Sequence, residues 1–276
     1  MGYSAKILKD SISYEDFRIT TFEVTLPRIV LAEFNTHRMF SRNSASSRAI
    51  PIAKMLARVQ EDPFIPTVWG KNQKGMQAAE ELSPEAAARA KTEWLYARDN
   101  AVISVKRLQM DDIDLHKQTA NRLLEPWLWH TIIVTATEYQ NFFGLRDSKM
   151  AMPEIQIPAR MMRDLYDANT PEPTFNGWHL PLVFSEDKKE FPVEMLVRLA
   201  CARCARVSYL THDGKRDPNE DFGLYDKLRG SGHMSPLEHA ARERTETEPL
   251  MVGNFRGWVQ HRKMLRGEAI FVAEST

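Results

Sequence analysis

Residues 19–26 constrain the fold most, because apolar and polar side chains alternate along this segment. Phe22, Val24 and Leu26 fall on one face, and threonine and glutamate side chains fall on the other. A period of two residues is typical of a strand with one buried face, so we predict a half-buried strand here. The proline that follows ends this strand, and residues 28–36 predict a short helix.

Helical patterns dominate the rest of the chain. We predict helices over residues 52–59, 83–110, 114–124, 127–143, 153–166 and 191–207, and a short one around Leu224. The longest begins with Ser83 as N-cap and Pro84 in its first turn, and alanines favour helix in its first half. Residues 127–143 are apolar on nearly all sides, which predicts a buried helix. Residues 169–179 and 211–220 predict loops.

The composition limits the classes of function. The 276 residues include 37 basic and 37 acidic side chains, so the net charge is zero, whereas a general nucleic-acid binder needs a basic excess. No apolar run approaches the roughly 20 residues of a membrane span, and residues 1–10 lack the apolar core of a signal peptide. Two cysteines, Cys201 and Cys204, do not make a disulfide framework. We therefore expect a reducing, cytoplasmic setting with no membrane or nucleic-acid partner.

One segment, residues 37–48, is unusually rich in groups that bind anions. It contains three arginines, four serines, a histidine and an asparagine. Arginine offers a fixed fork of donors that matches phosphate or carboxylate, and serine hydroxyls complete such a cradle. A surface loop that binds a nucleotide phosphate and a solvated basic turn explain this composition equally well. Its place after a strand–helix unit favours the binding loop.

The histidines near residue 235 have two explanations. His233 and His239, with Glu238, could ligate a metal, but their spacing is not that of a zinc helix and Pro236 interrupts any helix between them. We therefore expect no metal site. A capping box, with Ser235 as N-cap and Glu238 three residues later, explains the pattern better.

Few other positions suggest catalysis. Cys201 and Cys204 lie inside a periodic helix, so buried packing explains them better than redox chemistry. Arg122 and Arg146 each border apolar sequence and need a partner, either an internal carboxylate or a ligand. No nucleophile elbow, Walker loop or Rossmann fingerprint is present. If the protein is an enzyme, a bound cofactor would then carry the difficult chemistry.

Residues 37–48 resemble the signature of the flavin-dependent thymidylate synthases (the ThyX family), Arg-His-Arg-x-x-Ser-x-Asn-Glu-x-Ser-x-Arg. The positions that match are His37, Arg38, Ser41, Asn43, Ser46 and Arg48. Residues 122–126, 141–146 with 154–155, 205–208 and 233–239 resemble further motifs of that family. The resemblance implies an α+β fold with an antiparallel-rich sheet and a bundle of long helices, in a single domain over residues 1–276.

The resemblance also implies an activity. The family methylates dUMP to dTMP with FAD as cofactor, using methylenetetrahydrofolate and NADPH or NADH as co-substrates, and it forms homotetramers. By resemblance, the residues that bind dUMP are Ser46, Arg48, Arg122 and Arg146, of which Ser46, Arg48 and Arg146 are expected to be catalytic. By resemblance, the residues that hold FAD are His37, Arg38, Ser41, Asn43, Asn141, Ser235, Glu238, His261 and Arg262.

The sequence departs from the family pattern in residue type. Thr36 replaces the first arginine of the signature, Ser44 its glutamate, Ala49 the tyrosine that follows its last arginine, and Glu33 an upstream glutamine. Thr135 and Thr137 stand where the family usually has asparagine and arginine near the flavin. Hydroxymethylation, a different pyrimidine nucleotide, or non-catalytic nucleotide binding therefore remain as alternative functions.

The order of the motifs is also changed. The pieces at residues 205–208 and 233–239 usually precede the signature, and here they follow it. Related strand–helix units near residues 19–48 and 242–265 add a weak internal repeat, although two amphipathic segments can also be similar by chance. We interpret this order as a circular permutation, which predicts that Ser235 and Glu238 lie beside residues 37–48.

Overall fold

The computed structural model describes residues 2–78, 80–208 and 217–265. Its strands are Ser4–Ile12 (β1), Arg18–Pro27 (β2), Ser41–Ser44 (β3), Trp129–Ala136 (β4), Glu172–Pro173 (β5), Trp178–His179 (β6), Ala241–Glu243 (β7), Met251–Val252 (β8), Phe255–Arg256 (β9) and Trp258–Gln260 (β10). Its α-helices are Leu31–Phe34 (α1), Ile52–Glu61 (α2), Pro84–Arg107 (α3), Lys117–Ala120 (α4), Gln140–Arg146 (α5), Pro153–Ala168 (α6), Ser185–Glu190 (α7), Val193–Ser208 (α8), Pro218–Gly230 (α9) and His261–Met264 (α10). Short 3-10 helices cover Arg28–Val30, Asn121–Trp127 and Ser235–Glu238.

A five-stranded sheet in the order β3-β4-β2-β1-β5 forms the centre of the described residues. Neighbouring strands are antiparallel, except for the short parallel pair of β1 and β5. The alternating segment at residues 19–26 is confirmed as a strand, since it lies within β2. The expectation that only one face is buried is wrong, because Thr21 and Thr25 on the polar face are also buried under a second layer.

The predicted buried helix over residues 127–143 is wrong. The chain there forms strand β4, which pairs with β2 and β3, followed by the short helix α5. Residues 131–135 are five consecutive β-branched side chains, which favour a strand. A strand buried on both faces reads as a continuous apolar run, so its sequence resembles that of a buried helix.

Helices α1, α5 and α6 cover the apolar face of the central sheet. Phe22 and Val24 of β2 pack there in one buried cluster with Phe34 of α1 and Phe142 of α5. Ile155 of α6 joins the same cluster. This packing fixes the end of α5 against the turn that follows α1, where residues 37–48 begin.

A polar layer separates the other face of the sheet from the three-stranded sheet β10-β7-β6. The hydroxyls of Thr21 and Thr135 lie 2.6 Å apart, Thr21 contacts His179 Nε2 at 2.8 Å, and His179 Nδ1 contacts Ser11 Oγ at 2.9 Å. His239 Nδ1 contacts Thr135 Oγ1 at 2.9 Å. These five side chains are completely buried. They form one hydrogen-bonded chain that joins the two sheets.

The remaining helices agree with the sequence in part. The cap at Ser83 is confirmed, since its side chain accepts a hydrogen bond from the Ala86 amide, and α3 ends at Arg107. Residues 114–124 contain only the short helix α4 and a 3-10 helix, so one continuous helix was wrong there. The helix around Leu224 is confirmed as α9, whereas most of the predicted loop at 211–220 lies outside the described residues.

The described helices and antiparallel strands confirm the predicted α+β class. The loop predicted at residues 169–179 contains the two-residue strands β5 and β6. None of the described helices is both long enough and apolar enough to cross a membrane.

Candidate functional site

Residues 37–48, the predicted anion-binding segment, fold into a turn, the strand β3 and a second turn, so the prediction of a surface loop is only partly right. Strand β3 pairs with β4 from Ser41 opposite Thr135 to Ser44 opposite Ile132. Buried and accessible residues alternate along the strand as its pleat requires. The buried polar members are His37, Ser41, Asn43 and Ser47, and the exposed ones are Arg38, Ser46 and Arg48.

Arg146, at the end of α5, is held by three side chains around the first turn. Its Nε donates to His37 Nε2 at 3.0 Å, its Nη1 to Glu33 Oε2 at 3.2 Å, and its Nη2 to Thr36 Oγ1 at 3.4 Å. Arginine can only donate, so His37 accepts at Nε2 and its neutral ring carries the proton on Nδ1. Burial lowers the pKa of His37 to about 4, and the charges of Arg146 and Arg42 act in the same direction. Histidine 37 is therefore neutral at pH 7.

An aromatic cluster positions this group. The ring of His37 meets Phe142 edge-on with centroids 4.9 Å apart, and Phe40 lies 5.0 Å from Phe142. Arg146 follows Phe142 by four residues in α5, so the two lie on the same face of the helix. The neighbouring Asn141 is exposed. The packing of Phe142 therefore determines where the guanidinium of Arg146 lies.

Arg42 closes the first turn. Its Nη1 donates to the carbonyl oxygens of Asn35 and His37, both at 3.0 Å. Burial lowers the pKa of Arg42, Glu238 opposes this change, and Arg38 adds to it. A carboxylate from the C-terminal part of the chain thus acts on the anion-binding segment.

The buried polar side chains of β3 contact the C-terminal part of the chain. Ser235 Oγ donates to Asn43 Oδ1 at 3.5 Å, and Asn43 Nδ2 donates to the Cys204 carbonyl at 3.3 Å. Ser41 Oγ accepts from Gln260 Nε2 at 2.7 Å. The structure therefore places Ser235 beside residues 37–48 in the same chain, while the circular permutation itself stays a prediction.

The capping box predicted at Ser235 is wrong. Residues Ser235–Glu238 form a 3-10 helix whose N-cap is Met234, and no side chain caps it. The hydroxyl of Ser235 is directed to Asn43, and the carboxylate of Glu238 accepts from Arg262 Nη1 at 2.6 Å. A four-residue 3-10 helix leaves these groups to tertiary partners, and a guanidinium attracts the carboxylate more strongly than a backbone amide does.

His261 and Arg262 begin helix α10. His261 Nε2 lies 2.8 Å from the hydroxyl of Tyr225. Burial lowers the pKa of His261 to about 4, with a smaller contribution from Arg229. The ring is neutral at pH 7, and Tyr225 holds its orientation.

A second cluster lies at the end of the anion-binding segment, around Glu125. Its Oε1 accepts from Arg122 Nη1 at 2.7 Å, from Ser47 Oγ at 2.9 Å and from Arg28 Nη2 at 3.4 Å. Ser47 connects this carboxylate to the turn that carries Ser46 and Arg48. Arg122 remains 47% exposed, so a ligand can still reach it.

The structure thus distributes the predicted site residues over three contiguous groups. His37 and Arg146 meet at the first turn, and Ser235 and the pair Glu238–Arg262 lie beside β3. Arg122 is coupled to the second turn through Glu125. The internal-carboxylate explanation holds for both Arg122 and Arg146, without excluding a ligand. Sequence reasoning assigned no role to Glu125, although its position three residues after Arg122 is a recognised helix pairing.

A family model described as thymidylate synthase complementing protein matches residues 16–172, more than half of the chain. The chain belongs to this family. The matched region includes the anion-binding segment, Arg122, Asn141 and Arg146, and it ends before Ser235. The resemblance to the ThyX family is confirmed at this level.

Two solved structures of a UMP/dUMP methylase, PolB from Streptomyces cacaoi, are similar to this chain. The one bound with 5-Br UMP shares 16% identity over 59% of this chain and 88% of that chain, with a TM-score of 0.47. The one bound with 5-Br dUMP shares 19% identity over 54% of this chain and 65% of that chain, with a TM-score of 0.42. No curated protein matches the sequence significantly.

Proposed function

We propose that this protein methylates dUMP to dTMP, using FAD, methylenetetrahydrofolate and NADPH or NADH. Membership of the thymidylate synthase complementing family gives the reaction class. The observation that carries the proposal is the fixed guanidinium of Arg146, held by His37, Glu33 and Thr36 at the surface. Such preorganised donors can stabilise charge on a substrate oxygen without reorganising during the reaction.

Arg146 would donate to a carbonyl oxygen of the pyrimidine. Its three hydrogen bonds to His37, Glu33 and Thr36 use one N–H on each nitrogen, so Nη1 and Nη2 each keep a second N–H for a ligand. Because His37 is neutral, it does not compete with Arg146 as a cation for the same substrate oxygen. Ser46, Arg48 and Arg122 would bind the rest of the nucleotide. Ser46 and Arg48 are exposed, so a ligand can reach both side chains.

The residues proposed for FAD fit an anionic dinucleotide in part. Arg38 and Asn141 are exposed, and Arg262 is accessible beside Glu238, so these side chains offer donors to phosphate and carbonyl oxygens. Ser41 and Asn43 are buried and bonded within the chain, so they would position β3 rather than contact the cofactor. When bound, reduced FAD would supply the hydride that completes the methyl group.

The two cysteines support a route without a cysteine nucleophile. Both are completely buried in α8. Burial raises the pKa of both thiols well above their usual value, so neither supplies a thiolate at pH 7. A second candidate outcome, hydroxymethylation or action on another pyrimidine nucleotide, is favoured by Thr36, which contacts Arg146 where the signature has arginine. We also propose a homotetramer, by family resemblance.

Purified protein tests this function in two steps. We expect added FAD to bind with an absorbance band near 450 nm, and mass analysis of dUMP incubated with methylenetetrahydrofolate and NADPH to show dTMP. Absence of flavin binding would refute the enzyme proposal and favour a non-catalytic nucleotide-binding protein. A product with the mass of a hydroxymethyl nucleotide would show that the protein hydroxymethylates dUMP and does not methylate it.

A further inference from the structure

A recess lies between helix α2 and the start of strand β4. Arg28, Arg58 and His130 line it together with Ser47 and apolar side chains. It is a small recess, and it is partly open to solvent. Among the described residues that line it, none is acidic. An anion at this recess would therefore face two guanidinium groups and no acidic side chain of the described lining.

The arginines at and beside this recess outnumber the carboxylate that pairs with them. Glu125 accepts from both Arg28 and Arg122, so one carboxylate faces two guanidinium groups. Arg58 adds a third cation, and its side chain has no hydrogen bond or ion pair with any described residue. The three arginines and one carboxylate leave an excess of two positive charges.

Arg58 is a partly buried cation, and burial lowers its pKa. An arginine stays protonated in proteins, so its charge must be compensated by solvent or by a counter-ion. The neighbouring arginine, Arg28, already has Glu125 and the ring of His130 as partners. Arg58 is therefore the cation of this group that a bound anion would neutralise.

His130 adds a further donor. Its Nε2 lies 3.1 Å from Arg28 Nη1, and because arginine only donates, Nε2 accepts and the ring proton is on Nδ1. Burial lowers the pKa of His130 to about 3, with Arg28 acting in the same direction, so the ring is neutral at pH 7. No described residue is a hydrogen-bond partner of Nδ1. The recess thus combines two guanidinium groups with a neutral N–H donor.

We propose that this recess binds an oxyanion of the phosphate class, with Arg58 as its main cation. A phosphate carries several acceptor oxygens and matches guanidinium forks in geometry and charge. Ser47 lines the recess, whereas its neighbours Ser46 and Arg48 are exposed. The occupant is either the 5′-phosphate of the nucleotide, which rests on the proposed function, or free phosphate bound beside the nucleotide.

The test uses inorganic phosphate as probe, the full chain, and ionic strength kept constant with chloride. Variant R58M removes the charge and keeps an unbranched side chain in α2. Variant K54M is the matched control, because Lys54 is an exposed cation on the same helix outside the recess. We expect phosphate to raise the Tm of the wild type and K54M, and R58M to bind it about 10-fold more weakly or worse.

Equal phosphate responses in all three proteins, or none in the wild type, would overturn the proposal. If R58M does not fold in chloride, R58K replaces it, and we expect it to bind phosphate more weakly than the wild type but to retain part of the response. An R58K protein that binds phosphate as tightly as the wild type would contradict the role of the guanidinium fork.

Nucleotide binding identifies the occupant. If the 5′-phosphate occupies the recess, R58M weakens dUMP binding and leaves deoxyuridine binding unchanged. If R58M loses the phosphate response but binds dUMP normally, the recess holds free phosphate and the nucleotide phosphate lies elsewhere. If the wild type binds phosphate but neither nucleotide nor flavin, the oxyanion site in the recess is supported and the proposed function is refuted.

Discussion

Replacing Thr21 with valine would break the buried hydrogen-bonded chain between the two sheets at its centre. Valine has the shape of threonine without the hydroxyl, so packing changes little. Thr21 Oγ1 contacts Thr135 Oγ1 at 2.6 Å and His179 Nε2 at 2.8 Å, and all three side chains are completely buried. The variant therefore loses two buried hydrogen bonds and leaves His179 Nε2 without its partner.

The expected cost follows from these contacts. Each lost hydrogen bond costs about 1 kcal/mol, and an unsatisfied buried group about 1–3 kcal/mol. We expect T21V to lower the free energy of unfolding by about 2–4 kcal/mol. Thr25 offers a matched control on the same strand, because its hydroxyl lies 2.9 Å from that of Thr131 but contacts no histidine. We expect T25V to cost about 1 kcal/mol.

Urea denaturation at pH 7 compares the two variants through their midpoints at a common m-value. A T21V protein no less stable than T25V would refute the reasoning. It would mean that a water or a rotated side chain replaces the hydroxyl, so that His179 keeps a partner.

Three further predictions concern the site, the histidines and one turn. R146M should lower kcat about 100-fold or more in a protein that still folds, with a lower Tm because the buried His37 Nε2 loses its donor; a near-wild-type kcat contradicts the role of Arg146. Burial lowers the pKa of His130 and His239 to about 3. Below its histidine pKa near 6.5, the unfolded chain binds more protons than the folded chain does. We therefore expect these two histidines alone to lower the free energy of unfolding by about 4 kcal/mol from pH 7 to pH 5, measured by urea denaturation; a pH-independent midpoint contradicts this. G257A should lower the free energy of unfolding by more than about 2 kcal/mol in the same assay, because φ of Gly257 is +76° and an added Cβ would lie 2.3 Å from the ring of Phe17. G223A is the control, because an added Cβ there meets open space and should not destabilise the protein. Equal denaturation midpoints for the two variants would contradict this.

The elements that the sequence predicts carry their own local signal. Helix α3 has a cap at Ser83 and proline in its first turn, and β2 shows the two-residue alternation. Strand β4 has neither, because its two faces are both buried and its apolar run has no period. The two-residue strands β5, β6, β8 and β9 are defined by their partners alone, so no local pattern could predict them.

In the candidate site, too, some features have a local signal in the sequence and others depend on distant contacts. Composition explained residues 37–48 equally well as an anion-binding loop and as a solvated basic turn. Only the family resemblance related this segment to Arg146, which lies 109 positions after His37. Contacts such as Ser47 with Glu125 depend on how the second turn meets the 3-10 helix at Asn121–Trp127. Spacing in the sequence carries no information on such long-range contacts.

Three of the departures from the family pattern have internal partners in this fold. Thr36 and Glu33 both bind the guanidinium of Arg146, and Thr135 lies in the buried chain with His239. Replacing arginine by Thr36 and glutamine by Glu33 makes the surroundings of Arg146 more negative by two charges. At the other end of the segment, Ser46 and Arg48 match the signature and stay exposed. If Arg146 binds the pyrimidine and Ser46 and Arg48 bind the phosphate, as we propose, these departures would change the reaction at the pyrimidine ring and leave recognition of the phosphate unchanged.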